Sequence, residues 1–332
     1  MKTTVALIRG GSGKEHDVSC MGYAYVRCLL EKNGYDVISV YIDKNGNWSI
    51  TNNGEKIPTF PIMLSGISGL YCDGKIIEID VAIPLLHGDG GESGEVQGLL
   101  ESARIRYIGA KVSTSALCLD KSYTKQIVRE LGIPVTKWVD FSTRCDTEAA
   151  LKRCLDTLSF PMFIKPRALG SSIGAYAVVN EDEFSQAFFN CASVSDNRVM
   201  VEEMICDKRE LECAFYSAGE VRLITPPGEI LHKGFYTYND KYQSKTETAV
   251  VADVDITIKN RLTEYSLAIA EAVNLRHLAR IDYFLTRDGI IFNEINTFPG
   301  FTDESLYPKM IAASGITPEE ALSSFIKDAL GC

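Results

Sequence analysis

Residues 280–296, RIDYFLTRDGIIFNEIN, contain the most informative pattern in the chain. Asp288-Gly289 is a typical turn pair, and strand-forming residues lie on both sides of it, so the stretch predicts a β-hairpin. Side chains two residues apart on a strand point to the same face. Two such pairs carry oxygen or guanidinium groups: Arg280 with Asp282, and Glu294 with Asn296. If the two strands pair, these four side chains converge on one face.

The chemistry of that face has two interpretations. Hard Mg²⁺ prefers oxygen ligands and usually takes one or two carboxylates together with substrate phosphates. Asp282, Glu294 and Asn296 would then be metal ligands. A solvated hairpin face with a cross-strand ion pair fits the same spacing, and spacing alone leaves both interpretations open.

The segments before the hairpin also have the pattern of antiparallel strands. Such patterns occur in residues 162–165, 173–179, 198–203 and 211–216. The loop Gly170-Ser171-Ser172 joins the first two. Glycine permits close backbone approach, and serine N–H and hydroxyl groups suit phosphate oxygens. A phosphate-binding loop and an ordinary polar turn are both compatible with this sequence.

The N-terminal third alternates strands and helices. A short buried strand at residues 5–8 is followed by a predicted helix over about 17–32, and a second buried strand covers 81–86. This alternation predicts an open α/β sheet that binds ligands outside the carboxyl ends of its strands. Two turn pairs between strand-like runs predict hairpins in the same region: Asn45-Gly46 and Asp73-Gly74.

Two glycine-rich turns follow these strands, at residues 10–13 and 87–94. A functional loop and a plain turn are both open interpretations for each. Neither is a known phosphate motif. Gly13-Lys14 is followed by Glu15, where a P-loop requires serine or threonine, and no Gly-x-Gly-x-x-Gly follows the first strand. A nucleotide would have to be held in another way.

Composition narrows the class of protein. The chain has 332 residues, which predicts two or three domains, and a formal net charge of −10, which argues against nucleic-acid binding. No apolar run reaches the roughly 18 residues of a membrane helix. The 10 cysteines are dispersed without metal-ligand spacing, so we expect free thiols in a reducing cytoplasm.

Together these segments resemble the D-alanine–D-alanine ligases of the ATP-grasp superfamily. The resemblance covers almost the whole chain, from Gly10 to Met310. Its strongest matches are residues 15–19, 87–101, 163–172, 234–242 and 293–302. Several long motifs in the order of the family make a chance match very improbable.

The resemblance implies a fold of mixed α/β and α+β class. An N-terminal Rossmann-like (pre-ATP-grasp) domain would cover residues 1–108. A two-lobed ATP-grasp fold would follow, with a central lobe over 109–200 and a C-terminal lobe over 201–332. The C-terminal lobe would carry the metal site and a lid at about 233–248. ATP would lie between the two lobes.

The resemblance also implies the ligands of the nucleotide. Lys121 and Lys165 would contact its phosphates and base, and Glu202 would face the adenine amino group. The remaining ATP-binding residues would be Glu203 and Met204 in the backbone hinge and Glu210 at the ribose. Two Mg²⁺ ions, or Mn²⁺ in their place, would be held by Asp282, Glu294 and Asn296.

The amino-acid substrates are assigned by the same resemblance. Glu15 would bind the ammonium group of the first D-alanine and form a hydrogen-bonded trio with Ser171 and Tyr242. Lys241 would reach the transferring phosphate. The oxyanion would be stabilised by Arg280 and the Gly300 N–H. The remaining substrate-binding residues would be His87, Ser305 and Leu306.

The expected activity is an ATP-dependent ligase that joins two D-alanines through an acyl phosphate, for peptidoglycan precursors of the cell wall. The alternatives are a D-alanine–D-serine ligase of the same family, another ATP-grasp carboxylate–amine ligase, and a non-catalytic nucleotide-binding regulator. The expected partners are ATP and D-alanine, without nucleic acid or membrane, in the cytoplasm. A homodimer is an open option.

Overall fold

The computed structural model describes residues 2–52, 55–88, 90–231 and 247–332. Within these residues the strands form three sheets of eight, four and six strands, which follow one another along the chain. The predicted mixture of α/β and antiparallel regions is therefore confirmed.

The N-terminal sheet has the strand order β6-β5-β4-β3-β2-β1-β7-β8. Its strands are β1 (Thr4–Gly10), β2 (Asp36–Ile42), β3 (Trp48–Asn52), β4 (Glu55–Leu64), β5 (Ile67–Cys72), β6 (Lys75–Glu78), β7 (Val81–Pro84) and β8 (Arg106–Tyr107). Strand β1 pairs in parallel with β2 and β7, whereas β2 to β6 are linked by antiparallel pairs. Both predicted hairpins are confirmed, since Val40 is registered with Ile50 and Cys72 with Lys75.

Three helices accompany this sheet: α1 (His16–Met21), α2 (Tyr23–Lys32) and α3 (Glu95–Ser102). The single helix predicted over 17–32 is wrong, because the chain divides it at Gly22. A Cβ atom at Gly22 would lie 2.9 Å from the carbonyl oxygen of Phe301. This close approach comes from a segment far away in sequence, so local periodicity does not reveal it.

The four-stranded sheet has the order β11-β10-β12-β9 and is antiparallel. Its strands are β9 (Trp138–Phe141), β10 (Met162–Pro166), β11 (Tyr176–Val178) and β12 (Val199–Glu203). The accompanying helices are α4 (Val112–Leu119), α5 (Lys121–Glu130), α6 (Thr147–Leu155) and α7 (Glu181–Val194). Strand β11 is shorter than the predicted strand over 173–179, because residues 167–175 form a long loop between β10 and β11.

The six-stranded sheet has the order β16-β15-β13-β17-β18, with β14 paired to β13. Its strands are β13 (Arg209–Ala218), β14 (Val221–Ile224), β15 (Gly228–Leu231), β16 (Glu247–Ala249), β17 (Leu278–Thr286) and β18 (Gly289–Asn296). The last helices are α8 (Ile256–Ala272), α9 (Leu306–Ala313) and α10 (Pro318–Leu330). The predicted hairpin is confirmed: β17 and β18 are antiparallel, with Asp282 registered opposite Glu294.

One hydrophobic core joins the first and last parts of the chain. Leu7 of β1 and Ile83 of β7 pack in the same cluster as Phe301, Met310 of α9 and Phe325 of α10. Burial of such side chains contributes roughly 1.5–3 kcal/mol each. This core fixes the carboxyl ends of β1 and β7 against the segment that follows β18. Among the described residues, no helix combines the length and the apolar content needed to cross a bilayer.

Candidate active site

Two adjoining cavities lie at the meeting point of the three sheets. The first, of about 220 Å³, lies between the four-stranded and six-stranded sheets and includes Phe163, Lys165 and Phe284 in its lining. The second, of about 600 Å³, lies between the N-terminal turns and the segment after β18. The cavities share lining residues that include Lys121, Ser171, Arg280 and Glu294. A ligand in one can therefore contact a ligand in the other.

A cluster of two lysines and one carboxylate lies against the first cavity. Glu202 on β12 is 3% exposed. Its Oε1 lies 2.6 Å from Lys165 Nζ, and its Oε2 accepts hydrogen bonds from Lys125 and from Thr136, the latter at 2.7 Å. Burial alone would raise the pKa of Glu202, but Lys125 and Lys165 outweigh it and hold that pKa well below its usual range. Burial, opposed by Glu202, lowers the pKa of Lys125 to about 8.

The other predicted nucleotide residues also line this cavity. Glu203 and Met204 follow directly in the chain, and the Glu203 carboxylate accepts the backbone N–H of Lys137 at 2.9 Å. Glu210 lies 3.0 Å from Lys208, whose ammonium group lies 3.8 Å from the centre of the Phe284 ring. The structure thus brings all six predicted ATP-binding residues, including Lys121, to this first cavity, which we call the nucleotide cavity.

The hairpin face carries the opposite balance of charge. The Arg280 guanidinium bonds Asp282 through Nε at 2.8 Å and Nη2 at 2.9 Å, and its Nε lies 3.2 Å from Glu212. Burial alone would lower the pKa of Arg280, but Asp282 and Glu212 raise it well above its usual value. Glu294 lies opposite Asp282, with Lys121 at 3.5 Å. Three carboxylates therefore surround one guanidinium.

The predicted metal ligands fit a hard divalent cation. A carboxylate has about four lone-pair sites, and Arg280 and Asn296 use three of those on Asp282. The Asn296 Nδ2 donates to Asp282 at 3.0 Å, so its amide oxygen is the atom left to a cation. Asp282, Glu294 and Asn296 form the oxygen-donor set that Mg²⁺ takes alongside substrate phosphates, and the first two line the nucleotide cavity.

The predicted pair of Glu15 and Ser171 is in contact in the second cavity. Glu15 is 5% exposed, and its Oε1 accepts a hydrogen bond from the Ser171 hydroxyl across 156 residues of sequence. A Cβ atom on Gly88 would collide with the Glu15 carboxylate, and Gly88 has φ +64°, so glycine is required there. The buried carboxylate faces a cavity, as an ammonium-binding group must.

His87 is held at the edge of the same cavity. Its Nδ1 donates to the Phe298 carbonyl at 2.9 Å, because a carbonyl only accepts. Glu92 ties this turn to the segment after β18: it accepts the N–H groups of Gly88 and Phe298, both at 2.9 Å. Burial, opposed by the charge of His87, raises the pKa of Glu92.

The predicted second-substrate residues lie on the far side of the cavity. Gly300, Ser305 and Leu306 all line it. The Ser305 hydroxyl accepts the N–H of Thr302 at 3.0 Å, and Ser305 precedes the first turn of α9 without capping it by its side chain. Leu306 is 8% exposed and belongs to the main core. This side offers backbone donors and an apolar wall.

Two predicted catalytic residues, Lys241 and Tyr242, lie outside the described residues, as does most of the predicted lid over 233–248. Three further charged residues of the site were missed by the sequence analysis. Lys125 stands four residues after Lys121 on α5, and Glu212 stands two after Glu210 on β13, so helical and strand spacing could have found them. Glu92 lies in the glycine-rich turn at residues 87–94, for which a functional loop is an open interpretation, but its own role had no signal, because its partners Thr297 and Phe298 come from a distant segment.

The first cavity lies between two antiparallel sheets and adjoins a second cavity at the end of an α/β sheet. This arrangement defines an enzyme of the ATP-grasp class. Sequence comparison gives the family. Residues 4–110 match the D-ala D-ala ligase N-terminus, and residues 127–327 match the D-ala D-ala ligase C-terminus. The chain belongs to the D-alanine–D-alanine ligase family.

Individual relatives agree over their full length. A D-alanine--D-alanine ligase of Blochmanniella floridana is 33% identical over 347 residues, which cover 99% of this chain and 97% of that protein. The crystal structure of D-alanyl-alanine synthetase A from Vibrio cholerae has a TM-score of 0.88 at 32% identity and covers 100% of this chain and 99% of its own. The VanG D-Ala:D-Ser ligase from Enterococcus faecalis has a TM-score of 0.88 at 30% identity, with 99% and 100% covered. The predicted family and fold are confirmed.

Proposed function

We propose that this ATP-dependent ligase joins two molecules of D-alanine to D-alanyl-D-alanine, a precursor for peptidoglycan, by way of an acyl phosphate. The observation that carries the proposal is the junction of the two cavities at Lys121, Ser171, Arg280 and Glu294. A carboxylate bound in the larger cavity can there meet the terminal phosphate of a nucleotide bound in the smaller one. Phosphoryl transfer depends mainly on such positioning and on charge neutralisation.

Each end of the nucleotide has matching side chains. Lys121 and Lys165 neutralise phosphate oxygens, and the Glu202 cluster and Glu210 hold the base and ribose end. Asp282, Glu294 and Asn296 would hold two Mg²⁺ ions, or Mn²⁺, which neutralise the phosphates when bound. Arg280 remains fully charged because of its carboxylate neighbours, so it is ready to stabilise negative charge in the transition state.

The two D-alanine molecules bind in the second cavity. Glu15, fixed by Ser171, accepts the ammonium group of the first D-alanine, and this directs the carboxylate toward Arg280. The second D-alanine lies toward Ser305 and Leu306, where the uncapped first turn of α9 offers N–H donors to its carboxylate. The carboxylate of the first D-alanine attacks the terminal phosphate of ATP, which releases ADP and forms the acyl phosphate. The amine of the second D-alanine then attacks the carbonyl carbon of this acyl phosphate. Arg280 and the Gly300 N–H stabilise the oxyanion that expels phosphate.

The direct test is ADP release by the full chain with ATP and Mg²⁺, measured with and without D-alanine. We expect ADP to form only with D-alanine, in equal amount to the dipeptide detected by mass. ADP release driven by another carboxylate and amine, but not by D-alanine, would identify a different ligase. Nucleotide binding without any turnover would identify a regulator.

A D-alanine–D-serine ligase is the second candidate, because the VanG D-Ala:D-Ser ligase is a close structural neighbour. Leu306 favours D-alanine, since a serine hydroxyl against this buried apolar side chain lacks a partner. Apolar pockets reject an added hydroxyl by only about 10²-fold. In a competition between equal D-alanine and D-serine we expect mainly D-alanyl-D-alanine, and mainly D-alanyl-D-serine would overturn this choice.

We also propose that the protein is located in the cytoplasm and that it can form a homodimer. All ten cysteines are free thiols, which supports a reducing cytoplasm. A homodimer remains a prediction that sedimentation equilibrium would test. The three predicted domains, 1–108, 109–200 and 201–332, could be checked by limited proteolysis at their boundaries.

A further inference from the structure

A third cavity, of about 530 Å³, opens on the side of the molecule where β8, α4 and α10 meet. Its lining includes four basic side chains, Arg104, Arg106, Lys111 and Arg276, and one acidic side chain, Glu101. The whole chain has the reverse balance, with 34 basic and 44 acidic residues. The excess of positive charge is therefore local to this cavity.

Three of the four basic side chains are not neutralised by neighbours. Among the described residues, Arg104, Arg106 and Lys111 take part in no ion pair. Burial lowers the pKa of the fourth, Arg276, and is opposed by the nearby Asp328 and Glu101. The Glu101 carboxylate accepts the Tyr107 hydroxyl at 2.6 Å. Cations that line a cavity without partners favour a multiply charged anion in it.

Arg276 gives the cavity a fixed donor. Its Nε donates to the Gly109 carbonyl at 3.0 Å and its Nη2 to the Tyr107 carbonyl at 2.8 Å. These bonds fix the guanidinium and leave Nη1 to donate elsewhere. The first turn of α4, an eight-residue helix, adds backbone N–H groups, since Val112 and Ser113 line the cavity and the Lys111 side chain does not cap the helix.

Arg104 occupies a backbone position that normally favours glycine. It follows the end of α3 with φ +53°, and the two backbone hydrogen bonds of a glycine-type helix end form there: the Arg104 N–H donates to the Glu101 carbonyl, and the Ile105 N–H donates to the Leu100 carbonyl. A charged side chain is thus kept where glycine would relieve backbone strain.

We propose that this cavity binds a small polyphosphate anion, outside the nucleotide and amino-acid cavities. A single carboxylate would leave most of the positive charge unmatched, whereas the phosphates of a polyphosphate can each pair with a guanidinium, in the planar geometry that arginine provides. The volume lies within the usual range of small-molecule sites. The inference does not depend on the proposed function.

The test is calorimetric titration of the full chain with inorganic pyrophosphate at low ionic strength. Because the nucleotide cavity also binds phosphates, the titration is repeated in Lys165→Met, which we expect to retain the pyrophosphate site. Arg104→Gly should weaken that site about tenfold, and Arg104→Gly with Arg106→Ser about 100-fold. Arg104→Gly relieves backbone strain, so its melting temperature should not fall.

Two matched controls complete the design. Asn274→Gly relaxes a residue with φ +54° and the same pattern of hydrogen bonds, but removes no charge. Arg222→Ser removes an exposed charge outside the cavity lining. Both should bind pyrophosphate as the unmodified chain does. ADP-forming activity should be unchanged in Arg104→Gly, which separates this inference from the proposed function.

Three results would overturn the proposal. Pyrophosphate binding that disappears in Lys165→Met would belong to the nucleotide cavity. Unchanged affinity in Arg104→Gly would exclude the arginine cavity. Citrate binding as tightly as pyrophosphate would exclude phosphate recognition. A titration of Lys165→Met with ADP distinguishes a free polyphosphate from a nucleotide-borne one, and Arg104-dependent binding of either supports the site.

Discussion

The Glu202 cluster and the hairpin face both contribute to the lining of the nucleotide cavity, but their charges are balanced in opposite directions. Beside the nucleotide cavity, two lysines, Lys125 and Lys165, surround the single carboxylate of Glu202. On the hairpin face, three carboxylates surround the guanidinium of Arg280. The first arrangement has an excess of positive charge that suits phosphate oxygens, and the second has an excess of negative charge that suits a metal ion. Neighbouring regions of one cleft are thus prepared for the two halves of a metal–nucleotide complex.

The largest effect should come from reducing the negative charge of the hairpin face. We expect Asp282→Asn or Glu294→Gln to lower the ligase rate by about 10²–10³-fold, since the triphosphate charge is then poorly neutralised. ADP release is measured over a Mg²⁺ titration. Asp288→Asn, in the exposed turn of the same hairpin, is the control and should be unaffected. Near-normal turnover of either variant at saturating Mg²⁺ would contradict the role of this face.

Removing positive charge beside the nucleotide cavity should lower the stability of the fold. Lys125→Met takes one of the two ammonium partners from a carboxylate that is almost completely buried, so we expect the free energy of unfolding to fall by about 3 kcal/mol. Urea denaturation measures it. The double variant Lys125→Met with Glu202→Gln should recover part of the loss. A double variant that is less stable than either single one would show that the two residues do not act as a pair.

A buried group whose burial outweighs its one carboxylate partner extends the comparison. The His277 side chain is completely buried, with Nδ1 accepting the Gly109 N–H and Nε2 donating to Asp328. Burial and the charge of Arg276, opposed by Asp328, lower the pKa of His277 to about 4. The unfolded chain binds this proton near pH 6.5, so stability is complete above pH 6.5 and falls as the pH drops toward 4.

This one group should remove about 3 kcal/mol between pH 6.5 and 4. Urea denaturation at several pH values measures the slope. In His277→Gln the protein starts less stable, but the contribution of this residue to the slope is absent. An equal slope in both proteins would assign the acid sensitivity to carboxylates instead.

The smallest effect should come from Glu15, which faces one amino acid rather than a cluster of phosphates. Glu15→Gln keeps the hydrogen bond from Ser171 but loses the charge, so we expect the KM for D-alanine to rise by about 10–100-fold, equivalent to roughly 1.5–3 kcal/mol. The KM for ATP should stay within twofold. Asp17→Asn, exposed on the helix α1 that begins directly after Glu15, is the control. Equal increases for both substrates would indicate a structural role.

Local sequence patterns were sufficient to predict several features of the molecule. The turn pair Asp288-Gly289 and its flanking strands predicted the hairpin, and the spacing of two predicted that Arg280 shares a face with Asp282, and Glu294 with Asn296. These predictions held because turn chemistry and strand periodicity are local properties. The nucleotide residues came from the resemblance to a family, and the structure brings the described ones to one cavity. Their individual roles stay predictions.

What the sequence by itself determined was the class of most segments, the hairpin, and the family. The tertiary structure alone decided which residues far apart in the sequence contact one another. Phe301 approaches Gly22 closely and divides the predicted helix, Glu202 takes Lys125 as a partner, and Glu92 joins the His87 turn to Phe298. It also gathered Arg104, Lys111 and Arg276 around one cavity. The physical reason is that charge pairing and steric exclusion depend on distances in space, which local periodicity does not encode.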